Sequence, residues 1–171
     1  LPEEFIQKAA QEGFISCIKN NGLVSNALEI RETFNLPEAF INSLEAQKAA
    51  QEGFISCIKI GLVDDALKIK ETFNLPEDFI QKAAQEGFIS HIKDGYVNTA
   101  LEIKEKFNLS LEEFINSSEA QEAVQEGFIS CIRSGHVDDA LEIREIFNLP
   151  EKAIEEKLRG EEEVRKYLEL I

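Results

Sequence analysis

Four residues able to bind metal or act as nucleophiles recur at one position of an internal repeat: Cys17, Cys57, His91 and Cys131. Thiolate and imidazole are the common zinc donors, and three of one with one of the other would complete a tetrahedral set. The spacing opposes that reading. Equivalent positions on stacked helices lie about 8–10 Å apart, whereas every donor to one Zn²⁺ must come within about 2.3 Å of it. Evenly spaced thiols cannot converge, and the same separation rules out disulfides between neighbours. The slot is therefore expected to hold small, partly buried packing residues in a reducing, cytoplasmic compartment, with no metal and no cofactor.

The remaining chemistry is sparse. His136, the only other histidine, follows a glycine and aligns with Leu23, Leu62 and Tyr96, which marks a variable rim position. No Ser/His/Asp or Cys/His set has a plausible meeting point. Each glycine stands alone, so there is no phosphate-cradling loop. With 33 acidic residues, paired carboxylates carry no signal. The chain reads as a non-enzyme. Its formal charge of −15 repels phosphate backbones and anionic membranes, making nucleic acid an improbable ligand and a basic protein or peptide an acceptable one. No window approaches the roughly 18 consecutive apolar residues of a membrane span.

The frame that positions these residues is a repeat. The segment QEGFIS occurs at 11–16, 51–56, 85–90 and 125–130, and divides the chain into repeats 1–35, 36–74, 75–108 and 109–148 with a tail at 149–171. The twelve phenylalanines fill three slots and nothing else. Phe5, Phe40, Phe79 and Phe114 occupy the first slot, Phe14, Phe54, Phe88 and Phe128 the second, and Phe34, Phe73, Phe107 and Phe147 the third. Repeats two and four carry an insert, FINSLEAQKAAQEG and FINSSEAQEAVQEG, against FIQKAAQEG in repeats one and three. The duplicated unit is thus a pair, short then long. Five extra residues would turn a helix face by about 140°, so a break is expected near Asn42–Ser43 and Asn116–Ser118, with Ser as the new cap.

Each repeat reads as two helices. The first opens after Leu-Pro at Pro2, Pro37 and Pro76, where the missing N–H costs nothing; Ser110-Leu111 replaces this in repeat four. Phe5, Ile6, Ala9, Ala10, Phe14, Ile15 and Ile18 form its apolar stripe. Gly22, Gly61, Gly95 and Gly135 are expected to end it in the left-handed conformation. The second helix is expected to start near Ser25, Asp64, Asn98 and Asp138 as N-caps, and to close at Asn35, Asn74, Asn108 and Asn148. Gly13, Gly53, Gly87 and Gly127 sit inside the first helix, where close approach of a neighbouring helix would justify a cost of roughly 1 kcal/mol each.

The segment ISCIKIGLVDDALKIKETFNLP at 55–76 resembles the helix-turn-helix of tetratricopeptide and pentatricopeptide repeats. Its turn Gly61, following Val63 and Ala66, and their counterparts Gly135, Val137 and Ala140, carry the likeness; Gly53 adds an earlier small residue. Gly53 and Gly61 lie eight apart, one more than in tetratricopeptide repeats, and that family's aromatic positions are absent. The resemblance implies a helical solenoid, with peptide binding in the first family and single-stranded RNA binding in the second.

The expected architecture is all-α: one domain over 1–171, a right-handed α-solenoid of four helix-turn-helix repeats in two short-plus-long pairs, capped by 149–171. In that tail Ala153 replaces the first-slot Phe, while Val164, Tyr167, Leu168 and Ile171 share one side of a last helix. Leu1-Pro2 has no matching cap, so further repeats are expected ahead of it in a longer chain, as is end-to-end self-association through this repeat. The expected function is a protein-interaction scaffold; the alternatives are pentatricopeptide-like RNA binding and a ligand-free structural or designed array. The candidate partner-binding residues are those that vary between repeats around the turn: Cys17, Asn20, Leu23, Cys57, Ile60, Leu62, His91, Asp94, Tyr96, Cys131, Ser134 and His136.

Overall fold

A computed structural model describes residues 2–20, 23–110 and 117–150. Among these the fold is all-α, with α1 Glu3–Lys19, α2 Val24–Thr33, α3 Glu38–Ile41, α4 Leu44–Ile60, α5 Val63–Phe73, α6 Glu77–Lys93, α7 Val97–Lys106, α8 Ser118–Arg133 and α9 Val137–Phe147. None of them is long and apolar enough to cross a membrane. Gly22, the Leu111 start of repeat four, Phe114, Asn116 and the cap over 151–171 lie outside the described residues.

The helix boundaries follow from local chemistry. Pro2 and Pro37 take the cap position ahead of α1 and α3, with Glu3, Glu4 and Glu38 in the first turns. The insert breaks the first helix of repeat two as the angular argument requires. After α3 the Ser43 hydroxyl accepts the Ala46 N–H and opens α4. Ser117 does the same for Ala120 at the start of α8. Asn35, Asn74, Asn108 and Asn148 all have φ between 45° and 51°. That left-handed turn lets the next residue's N–H reach back to a helical carbonyl, as Leu36 does to Arg31 at 3.0 Å and Leu109 to Lys104 at 3.0 Å. Each such Leu is buried.

The second helices start earlier than the sequence suggests. Leu23, Leu62 and His136 take the cap positions, without a side-chain cap bond. Asp64, Asp65, Asp138 and Asp139 fall in the first turn instead, where their charge suits the positive end of the helix dipole. Gly61 and Gly135, both left-handed, stand just before Leu62 and His136, so the turn runs directly into the next helix.

The chain divides into two compact units: Leu1–Gly87 with Glu105–Phe107, and Phe88–Lys104 with the residues from Asn108. In the first unit α1 pairs with α2, α4 pairs with α5, and α1 lies against α4. Its core is a phenylalanine register. Phe14 lies between Phe40 at 5.7 Å and Phe73 at 5.8 Å, and Phe54 between Phe79 at 5.8 Å and Phe107 at 5.4 Å, by ring centroid. The second-slot Phe of one hairpin thus enters between the first- and third-slot Phe of the next. A Cβ on Gly53 would collide with the Ile18 carbonyl, which accounts for that glycine through close backbone approach. The hairpins are also tied internally by Gln7, Gln47 and Gln81, whose amides donate to the carbonyls of Phe34, Phe73 and Phe107 at 2.9, 3.1 and 2.8 Å.

In the second unit α8 pairs with α9. Phe88 and Phe147 meet at 6.1 Å, and a Cβ on Gly127 would strike the Ile92 carbonyl. The same two rules operate there.

Candidate functional site

The variable residues belong to the turn between the two helices of each hairpin, and one backbone pattern places them. Gly61, Gly95 and Gly135 have φ of 79°, 83° and 76°. That conformation folds the N–H of Leu62 back to the Cys57 carbonyl at 2.9 Å, of Tyr96 to His91 at 2.8 Å, and of His136 to Cys131 at 2.8 Å. These are paired C-terminal caps of the Schellman type. They join two of the candidate slots directly: each Cys or His supplies a carbonyl to the rim residue five positions on.

The cap separates the two roles. Cys57, His91 and Cys131 point inward and are buried, while Leu62, Tyr96 and His136 stand outside. In the first hairpin Cys17 is half-buried and Leu23 exposed. Asn20 is exposed and its amide donates to the Ser16 hydroxyl at 3.3 Å. Ile60 is half exposed, at 51%. None of the three cysteines is in a disulfide. Among the described residues no cluster of three or more His, Cys, Asp or Glu could hold a metal ion.

In the second unit five of the candidates converge. Asp94, Tyr96, Cys131, Ser134 and His136 line one cleft of about 360 Å³, together with Asn98, Thr99, Ser130 and Asp139. Its floor is the Cys131 thiol, which donates to the Gly95 carbonyl at 3.7 Å. Burial, with Asp139 adding to it, pushes this thiol above its ordinary pKa, so it is a neutral packing group and a poor nucleophile. One wall is Tyr96, 62% exposed, steadied by an edge contact with the His91 ring at 6.1 Å. His136 also lines the cleft, and its Nδ1 lies 4.0 Å from an Asp139 carboxylate oxygen. A second hollow, lined by Lys93, Glu126, Ser130, Arg133 and Ser134, opens beside it. There Lys93 pairs with Glu126 at 3.0 Å, which raises the lysine pKa.

Two aspartates, one exposed aromatic face and several hydroxyl and amide groups make a cleft suited to a cationic or hydrogen-bonding side chain. Asn98, Thr99 and Asp139 were not among the candidate residues, although these positions too differ between repeats. Ser130 was hidden for the opposite reason: the same Ser stands at 16, 56 and 90, so it reads as frame. Comparison with protein-family models, curated proteins and solved structures finds no match for this chain.

Proposed function

We propose that the chain is a right-handed α-solenoid, tetratricopeptide-like in its hairpins, that serves as a non-enzymatic scaffold binding a basic peptide segment along its turn edge. The observation that carries this reading is the convergence of Asp94, Tyr96, Cys131, Ser134 and His136 on one cleft. These residues differ between repeats while the frame around them does not, and variable side chains on a constant frame are how repeat proteins build binding surfaces. The phenylalanine register within each unit supports stacking of successive hairpins. Asp94 and Asp139 favour a lysine or arginine guest beside Tyr96 and oppose the phosphates of RNA, which sets the pentatricopeptide-like alternative behind this one.

Selection of a displayed random peptide library against the full chain tests it. Enriched peptides are expected to carry Lys or Arg. Tyr96→Ala is expected to weaken them about tenfold or more, as for a central aromatic anchor, and Asp139→Asn to weaken them and reduce their salt dependence. Absence of enrichment, or enriched peptides indifferent to both substitutions, sinks the assignment. A single-stranded oligonucleotide that binds more tightly than any peptide would favour the RNA reading.

A further inference from the structure

The first hairpin carries an apolar groove that its counterparts do not leave open. Phe5, Ile6, Ala9, Gly13, Ile30 and Phe34 line a hollow of about 280 Å³. Phe5 is 59% exposed and Phe34 37% exposed, whereas the third-slot residues Phe73 and Phe107 are buried. Ile6 is exposed where Ile80, its equivalent, is fully buried. Gly13 has only the Ile30 methyl within reach of a notional Cβ, at 3.6 Å, while its equivalents Gly53 and Gly127 lie hard against a carbonyl of the preceding hairpin.

The molecule itself shows what such a groove receives. Between Phe40 and Phe73 lies Phe14; between Phe79 and Phe107 lies Phe54. Phe5 and Phe34 are the first- and third-slot pair of hairpin one, held in the same relation by the Gln7 amide on the Phe34 carbonyl. They form a socket for one second-slot phenylalanine, and Gly13 leaves the space for the backbone carbonyl that arrives with it. The ring of Phe128, the last second-slot residue of this chain, is already buried, so the far end of a second copy does not offer that phenylalanine.

We propose that this face is a docking surface for one further helical hairpin of the same repeat, which inserts its Gly-Phe-Ile phenylalanine between Phe5 and Phe34 in the register that α1 takes against α4. This stands independently of the turn-edge cleft.

The test joins a copy of residues 36–74 directly ahead of Leu1, which recreates the Asn74–Leu75 joint at the fusion point. Hydrogen exchange is expected to slow at residues 5–14, and the melting midpoint to rise. The sharper readout is the sign of one substitution. Gly13→Ala should leave the midpoint of the 171-residue chain unchanged or higher, because nothing crowds the new methyl. In the fusion it should lower the midpoint by at least about 2–4 °C, because the added hairpin's Ile58 carbonyl would meet it. The same direction of change in both proteins overturns the proposal, as does a fusion that leaves exchange at 5–14 unaltered. Dimerisation of the unextended chain that Phe5→Glu abolishes would also overturn it, since the occupant would then be a second copy.

Discussion

At the scale of single residues, four glycines in one helical slot do not all carry the same burden. Gly53 and Gly127 are required by backbone carbonyls at Ile18 and Ile92, whereas a Cβ on Gly13 would make only an ordinary contact with the Ile30 methyl at 3.6 Å. Alanine at position 53 or 127 is expected to cost about 1–3 kcal/mol through overpacking. Alanine at 13 should instead recover some of the roughly 1 kcal/mol that glycine forfeits in a helix. Urea denaturation of the three variants checks both signs. The cysteines divide in a similar way. Cys17 is half-buried and should be alkylated first, while Cys57 and Cys131, which lie in the core, should react only as the helices open. Because burial raises the Cys131 pKa, the folded state favours the neutral thiol. That contribution is intact below the unfolded thiol value and is lost as pH climbs from about 8.5 through the folded value. Stability measured across that range should fall in the parent and fall less in Cys131→Ala.

At the scale of elements, the hairpin is closed by a bond that composition does not advertise. Gln81 Nε2 donates to the Phe107 carbonyl, one of the orphan acceptors at a helix C-terminus, and also to a Glu77 carboxylate oxygen at 3.0 Å. Replacing Gln81 with Leu strands that part-buried carbonyl and is expected to cost about 1–3 kcal/mol. Chemical denaturation of Gln81→Leu beside the exposed control Lys82→Leu measures it, and equal stabilities would refute the role. The Glu77 carboxyl is held below its ordinary range by Gln81 first and Lys70 second. Its share of stability is therefore present above the unfolded carboxylate pKa and disappears as pH falls through the folded one; the group is so exposed that this share is small.

At the scale of the whole molecule, a formal charge of −15 on 171 residues means self-repulsion in the folded state. Screening should relieve it. The melting midpoint is expected to rise between about 0.01 and 0.15 M salt, as the Debye length shortens from about 30 to about 8 Å. A midpoint that falls over that interval would mean that pairs such as Lys93–Glu126 and Lys19–Glu52, both at 3.0 Å, outweigh the net repulsion. The same charge restricts partners at long range, which is why a basic peptide is the first ligand to offer.

Much of the fold was legible because it is local. Pro after Leu, Gly and Asn at fixed turns, and Ser at the insert each act within one turn of helix, so Gly61, Asn74 and Ser43 could be assigned their conformations from spacing alone. The helix starts at Leu62 and His136 were misplaced by two residues, because the left-handed glycine before them settles the path rather than the capping preference of Asp64 or Asp138. Periodicity also put twelve phenylalanines in three slots, yet could not say which slot meets which. That pairing, like the meeting of Tyr96 with Cys131 and His136 at one cleft, joins residues roughly 25–60 positions apart in sequence and depends on how helices pack through ridges and grooves. Spacing along a chain sets the face a residue occupies. Only packing determines what that face touches, and so Phe14 and Phe5, alike in sequence, end as a buried core ring and an open socket wall.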